Sequence, residues 1–165
     1  MPETPHSDPL RISEFRPEFR DDFYRLNKAW IDRYFEMEAK DHEVLGDPET
    51  HILGKGGRIL VALSGDTVAG VCALIPSEYP EFDLELAKMA VSPAFQGKGI
   101  GKALGKAVIA AARESGASTL FLESSTHLPV ALALYRNLGF TEVRSASPSP
   151  YRRSDIQMVL RLAGS

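Results

Sequence analysis

Three glycines occupy alternate positions in Gln96-Gly97-Lys98-Gly99-Ile100-Gly101, between a strand-like run and a helix-like one. Glycine adopts positive φ without strain and lets backbone approach a ligand closely. A helix N-terminus presents unpaired N–H groups and partial positive charge, the combination that holds phosphate. Lys98 and Lys102 add cations beside those amides. A tight strand-to-helix corner would need only one or two glycines, so the segment reads as an anion cradle.

Its spacing excludes two familiar phosphate binders. A P-loop needs G-x-x-x-x-G-K-[ST]. Counted back from Gly101-Lys102, Gln96 stands at the first glycine position and Ala103 follows the lysine. A dinucleotide fingerprint begun at Gly99 meets Leu104 at its third glycine position, which is too large, and it lies mid-chain after a hairpin. Other reactive residues carry less. His6, His42, His51 and His127 are scattered without metal-ligand spacing, so no metal is expected. Cys72 is alone, which rules out an internal disulfide and suggests a reducing, cytoplasmic setting; inside an apolar run it reads as inert core. Ser124-Ser125-Thr126-His127 has no nucleophile elbow.

The elements that position the turn follow from periodicity. Leu10–Phe15 alternates as a strand. Phe19, Phe23, Leu26, Trp30 and Tyr34 share one face of an amphipathic helix, with Trp30 and Tyr34 expected in the core and Arg33 solvated. Residues 41–53 suggest a short second helix and loop. Arg58–Leu63 and Val68–Ile75 form a hairpin through Gly65-Asp66. Leu84–Val91 is a fourth strand. The helix after the glycines turns Ile100, Leu104, Ala107 or Val108, and Ala111 inward and ends at Gly116. Thr119–Glu123 is a strand, Leu128–Leu138 a helix closed by Gly139, Thr141-Glu142-Val143 the beginning of a strand, Ser145–Pro150 a loop, and Ile156–Leu162 the closing strand. The order β-α-α-β-β-β-α-β-α-β-β implies a mixed α/β fold with helices on both faces of the sheet.

At 165 residues the chain fits one domain, residues 10–165, behind a flexible tail at 1–9. A net charge of -3 argues against a nucleic-acid partner. No run reaches the length of a membrane helix and Met1–Pro5 lacks a signal-peptide pattern, so a soluble protein without a membrane partner is expected.

The pattern Q/R-x-x-G-x-G/A is met by Gln96, Gly99 and Gly101, and here the chain resembles the GNAT superfamily of acyl-CoA-dependent N-acetyltransferases. Two further features carry the resemblance: the strand Leu84–Val91 with Ser92-Pro93, and Ala131-x-x-Leu134-Tyr135-Arg136-Asn137-Leu138-Gly139-Phe140. It implies a central, mostly antiparallel sheet of six or seven strands flanked by about four helices. It also implies acetyl-CoA as cosubstrate and a small-molecule or peptide amine as acceptor. Dimers are common among such proteins, so a homodimer stays open, as does a non-catalytic acyl-CoA-sensing module.

By the same resemblance, the amides of Gln96, Gly97, Lys98, Gly99, Ile100 and Gly101, with Lys102, hold the pyrophosphate. Met89, Ala90 and Val91 pair with the pantetheine arm, and the Met89 amide polarises the thioester carbonyl. Tyr135 protonates the departing thiolate; a core tyrosine is the plainer account, since Leu128, Leu132, Tyr135 and Leu138 form one apolar stripe. Glu85, eleven residues before Gln96, takes the base's place, and alternation puts it on the side of Ala87, Met89 and Val91. Glu123 is the competing carboxylate. Many relatives carry Asn where this chain has Leu128, which leaves one contact to the arm unassigned beside Thr126 and His127. Tyr79, Tyr151 and Arg152-Arg153 fit the rim of an acceptor cleft, although plain surface charge accounts for the arginines.

Overall fold

Val68–Leu74 is apolar or small at every position because the strand that contains it is covered on both faces. The computed structural model describes residues 9–144 and 149–162. Most of the expected tail and residues 145–148 of the Ser/Pro loop lie outside the described residues. Seven strands, β1 (Leu10–Glu14), β2 (Arg58–Ser64), β3 (Thr67–Pro76), β4 (Leu84–Val91), β5 (Thr119–Ser124), β6 (Thr141–Val143) and β7 (Ile156–Arg161), form one sheet in the order β1-β2-β3-β4-β5-β7-β6. All neighbours are antiparallel except β4 and β5. The helices are α1 (Arg20–Tyr34), α2 (Ala39–Gly46), α3 (Pro48–His51), α4 (Ile100–Glu114) and α5 (Pro129–Asn137).

Two cores sandwich the sheet. Ile100, Leu104 and Val108 of α4 and Leu132 of α5 pack on Leu60, Cys72, Leu74 and Leu86. On the other face Phe23, Leu26 and Ile31 of α1 and Leu45 of α2 cover Val61, Val71, Ala73 and Ala90. Helix α4 can lie this close because Gly70 offers no side chain: a Cβ there would stand 3.0 Å from both Ile100 Cγ2 and Leu104 Cδ1.

Two expectations need correction. Residues 41–53 make two helices rather than one, because Asp47 leaves helical backbone, accepts from Thr50 N and is followed by Pro48 at a new first turn. On α1 the inward stripe runs through Phe23, Leu26 and Ile31, not on to Tyr34, which is 45% exposed at the helix end. Trp30 sits at the boundary, its ring 5.5 Å from that of Tyr34. No helix among the described residues is long and apolar enough to cross a membrane.

Candidate active site

The glycine turn has the backbone it requires. Gly97 (φ 79) and Gly99 (φ 77) are left-handed, and Gly99 caps α4 without a side-chain bond. Gly101 serves packing instead: its Cβ would lie 3.2 Å from Leu134 Cδ2 on α5. Among the described residues, no acceptor takes the amide protons of Gly97 through Lys102; pairing resumes with Ala103 N to Gly99 O at 3.0 Å. Lys98 and Lys102 are exposed beside this ring of donors, and the Ile100 side chain is buried under it.

Beside the turn the sheet opens. Strands β4 and β5 are in register only at Leu84↔Leu120 and Glu85↔Phe121. Asp83 fastens that end, accepting from Ser118 N at 2.7 Å while its own N–H donates to Thr119 Oγ1 at 2.9 Å. Beyond Glu85 the strands part, so the β4 edge from Leu86 to Val91 faces an open cleft. Strand β4 also bulges: Ala87 pairs with Ala73 and Ala90 with Val71, leaving Lys88 and Met89 without register partners on β3. Lys88 has φ 55, the only positive value outside glycine among the described residues.

The bulge corrects the reading from alternation. An extra residue reverses the facing of everything after it. Glu85, opposite Ile75, and Ala87, opposite Ala73, share the face that Val71, Ala73 and Ala90 present to α1. Met89 and Val91 pack on the α4 side. Glu85 therefore does not share a side with Met89 and Val91.

A cavity of about 600 Å³ occupies the cleft, and it gathers Glu85, Lys88, Met89, Glu123, Ser125, Leu128, Tyr135 and Tyr151. Tyr135 is fixed by the way α5 ends. Gly139 (φ 106) donates to Arg136 O and Phe140 N donates to Tyr135 O, both at 3.0 Å, a Schellman end. The Tyr135 and Phe140 rings meet edge to face across that turn, 6.1 Å apart. The Leu134-Tyr135…Leu138-Gly139-Phe140 run is thus a helix stop that also aims a phenol into the cavity.

The profile of the acetyltransferase (GNAT) family matches residues 12–140. The chain belongs to this family. N-acetyltransferase 8F1 of Rattus norvegicus is 35% identical over 99 residues, which are 58% of this chain and 45% of that protein. The chain spans about half the length of the curated relatives it matches. A GNAT acetyltransferase from Staphylococcus aureus Mu50 shares the fold with TM-score 0.82 at 20% identity, over 93% of this chain and 99% of that one. So does yncA of Salmonella typhimurium, solved with acetyl-CoA, with TM-score 0.75 at 19% identity over 94% and 95%.

Within this GNAT fold the two carboxylates differ. Glu123 accepts from the Tyr79 hydroxyl, from Ser149 Oγ at 2.6 Å and from Gln157 Nε2 at 3.4 Å. Glu85 hydrogen-bonds to no described residue, and its pKa is pushed up to about 8, first by burial and then by the nearby Glu123 charge. Burial likewise raises the Tyr135 phenol above its ordinary range, so it stays protonated at neutral pH.

Sequence reasoning missed the cluster behind them. Arg153 grips Asp41 with two bonds of 2.7 Å, and Lys88 Nζ reaches Asp41 Oδ1 at 3.2 Å and the Tyr151 hydroxyl at 2.8 Å. Asp41 is fully buried; burial alone would raise its pKa, but the Arg153 bonds, the Glu38 amide and Lys88 hold it down to about 2. The plain surface-charge account fails for Arg153, whose side chain is 14% exposed, and holds for Arg152. No local signal marks this cluster, because its members lie on α2, β4 and the approach to β7.

Proposed function

We propose that this GNAT protein transfers an acetyl group from acetyl-CoA to an amine, with donor and acceptor bound together. The observation that carries the reading is spatial: a ring of unpaired amides at Gly97–Lys102 opens onto an unpaired strand edge, and that edge leads to a cavity holding Glu85 and Tyr135. The turn suits a pyrophosphate in both charge and shape. The edge from Leu86 to Val91 suits the amides of a pantetheine arm, which would pair with it as a further strand does.

The chain's groups then divide the chemistry. The Glu85 carboxylate accepts the proton that an ammonium acceptor must lose before its nitrogen bonds the acetyl carbon. The Met89 amide, in the bulge, donates to the carbonyl oxygen as negative charge builds there. The Tyr135 phenol gives its proton to the sulfur as the carbon–sulfur bond breaks. Glu123, already taken up by three donors, fits a supporting charge better than a base. A module that only sensed acyl-CoA would need neither the free carboxyl nor the cavity-facing phenol.

The test is release of free thiol from acetyl-CoA in the presence of an amine panel spanning small amines, amino acids and peptide N-termini. Thiol release that depends on one amine class, with the acetylated amine seen by mass spectrometry, is the expected result. Coenzyme A binding without turnover on any amine would favour the sensing module.

A further inference from the structure

We infer that the acceptor is a primary amine that carries an apolar group of aromatic size and no carboxylate beside the nitrogen, an inference that rests on the acetyl-transfer reading above. The cavity, about 600 Å³, is far larger than an acetyl group and an amine head require. One of its walls is apolar, built from Trp30 and Phe35 at the end of α1, Val44 of α2, Ile52 after α3 and Ile75 of β3. Trp30, Phe35, Val44 and Ile75 are only partly buried, so they keep surface open to an occupant. The Trp30 and Phe35 rings lie 6.4 Å apart and tilted by 47°, two faces for a flat group to pack against. Ile75 is the register partner of Glu85, so this wall begins at the carboxyl itself. An amine that brings its nitrogen to Glu85 lays the rest of its body along these side chains.

Charge decides what can stand beside the nitrogen. Glu85 hydrogen-bonds to no described residue, and the donors on Glu123 are the neutral Tyr79 hydroxyl, Ser149 Oγ and Gln157 Nε2. The basic side chains of the cavity are committed elsewhere. Arg153 bonds Asp41 twice and Glu38 at 3.2 Å, Lys88 bonds Asp41, and Lys40 pairs with Glu78 at 3.2 Å. Lys55, the remaining lysine or arginine of the lining among the described residues, is exposed, with its amide bonded to Ile52 O at 3.2 Å. An ammonium is stabilised beside the two carboxyl groups. A carboxylate one carbon from the nitrogen would meet the Glu123 charge with no free cation to hold it, and an uncompensated charge is costly to bury. An α-amino acid is therefore rejected where the matching amine is accepted.

The experiment measures thiol release from acetyl-CoA with 2-phenylethylamine, ethylamine, L-phenylalanine and the amide of L-phenylalanine. The expected kcat/KM for 2-phenylethylamine lies about 10- to 100-fold above that for ethylamine, the range for burying one aromatic side chain. L-phenylalanine is expected at least about 10-fold below 2-phenylethylamine, and its amide, which lacks the charge, to recover. Trp30→Ala is expected to cut the ratio of 2-phenylethylamine to ethylamine about 10-fold. Should that variant fail to fold, Val44→Ser, at a half-buried position of α2, is held to a fall in the same ratio. Ethylamine used as well as 2-phenylethylamine, or a ratio unmoved by the variant, overturns the inference. L-phenylalanine used equally well, or its amide rejected with it, overturns it also. In each of these cases thiol release with some amine leaves the transferase reading standing. No release with any amine, while coenzyme A still binds, removes both.

Discussion

Glu85 is a carboxyl half-buried in a cavity that already holds the Glu123 charge, and its pKa near 8 has consequences for both stability and rate. A carboxyl whose folded-state pKa lies above its unfolded value contributes stability that is complete below about pH 4.5 and lost as pH rises through about 8. Glu85→Gln has no such loss. Its melting temperature is therefore expected to gain on wild type steadily across that interval and then run parallel, and a constant difference would refute the assignment. In its proposed role as the base Glu85 works deprotonated, so kcat/KM is expected to climb with pH and level above about 8. That inflection should vanish in Glu85→Gln; its survival would give the role to another group. Tyr135→Phe removes one oxygen and leaves the ring against Phe140, so kcat is expected to fall about 100-fold with coenzyme A affinity nearly unchanged. The family resemblance marked both positions, Tyr135 within the Leu134–Phe140 run and Glu85 by its offset from Gln96, and both line the cavity. The environment that raises Glu85 was not legible in the sequence, because Glu123 comes from another strand.

Strand β4 shows where sequence reading stops. Its length and end were plain from apolar content and Ser92-Pro93, but the bulge at Lys88 was not, since lysine at φ 55 carries no signature. Such a backbone costs roughly 1–2 kcal/mol, and it persists because Lys88 is tied at its far end to Asp41 and Tyr151. Asp41 thereby joins three elements: its own helix α2, the bulge of β4, and the segment entering β7 through Arg153. The partners are separated by 47 and 112 residues, so periodicity had nothing to register. Removing one member of a buried ion cluster costs about 3–5 kcal/mol, because the others stay buried and uncompensated. Asp41→Asn is accordingly expected to lower the melting temperature by roughly 10 °C in a domain of this size. A change of a degree or two would mean that solvent reaches Lys88 and Arg153, and that the cluster is not what holds the bulge.

For the molecule as a whole, the sheet behaves as two parts sharing one clamp. The β1–β4 half is closed on both faces, by α1 and α2 and by α4, whereas the strand pairing that joins β5, β7 and β6 to it is confined to Leu84↔Leu120 and Glu85↔Phe121, beside the Asp83 bonds. Among the described residues, the cleft beyond the clamp leaves two sets of backbone groups without partners, the amides of Gly97–Lys102 and the β5-facing edge of Leu86–Val91. A ligand with phosphates at one end and amides along its length completes both sets at once, and its binding energy adds to the folding free energy, by about 2.7 kcal/mol at a hundredfold excess over Kd. Amide hydrogen exchange reports where that stabilisation falls. Coenzyme A is expected to slow exchange at residues 97–102 and at the β4 edge together, with little change in β2 and β3, which are paired on both sides beforehand. Adenosine 3′,5′-diphosphate should protect the turn alone. Protection spread evenly over the sheet would mean that the ligand acts by global stabilisation, and that the cleft is not the seat of the arm.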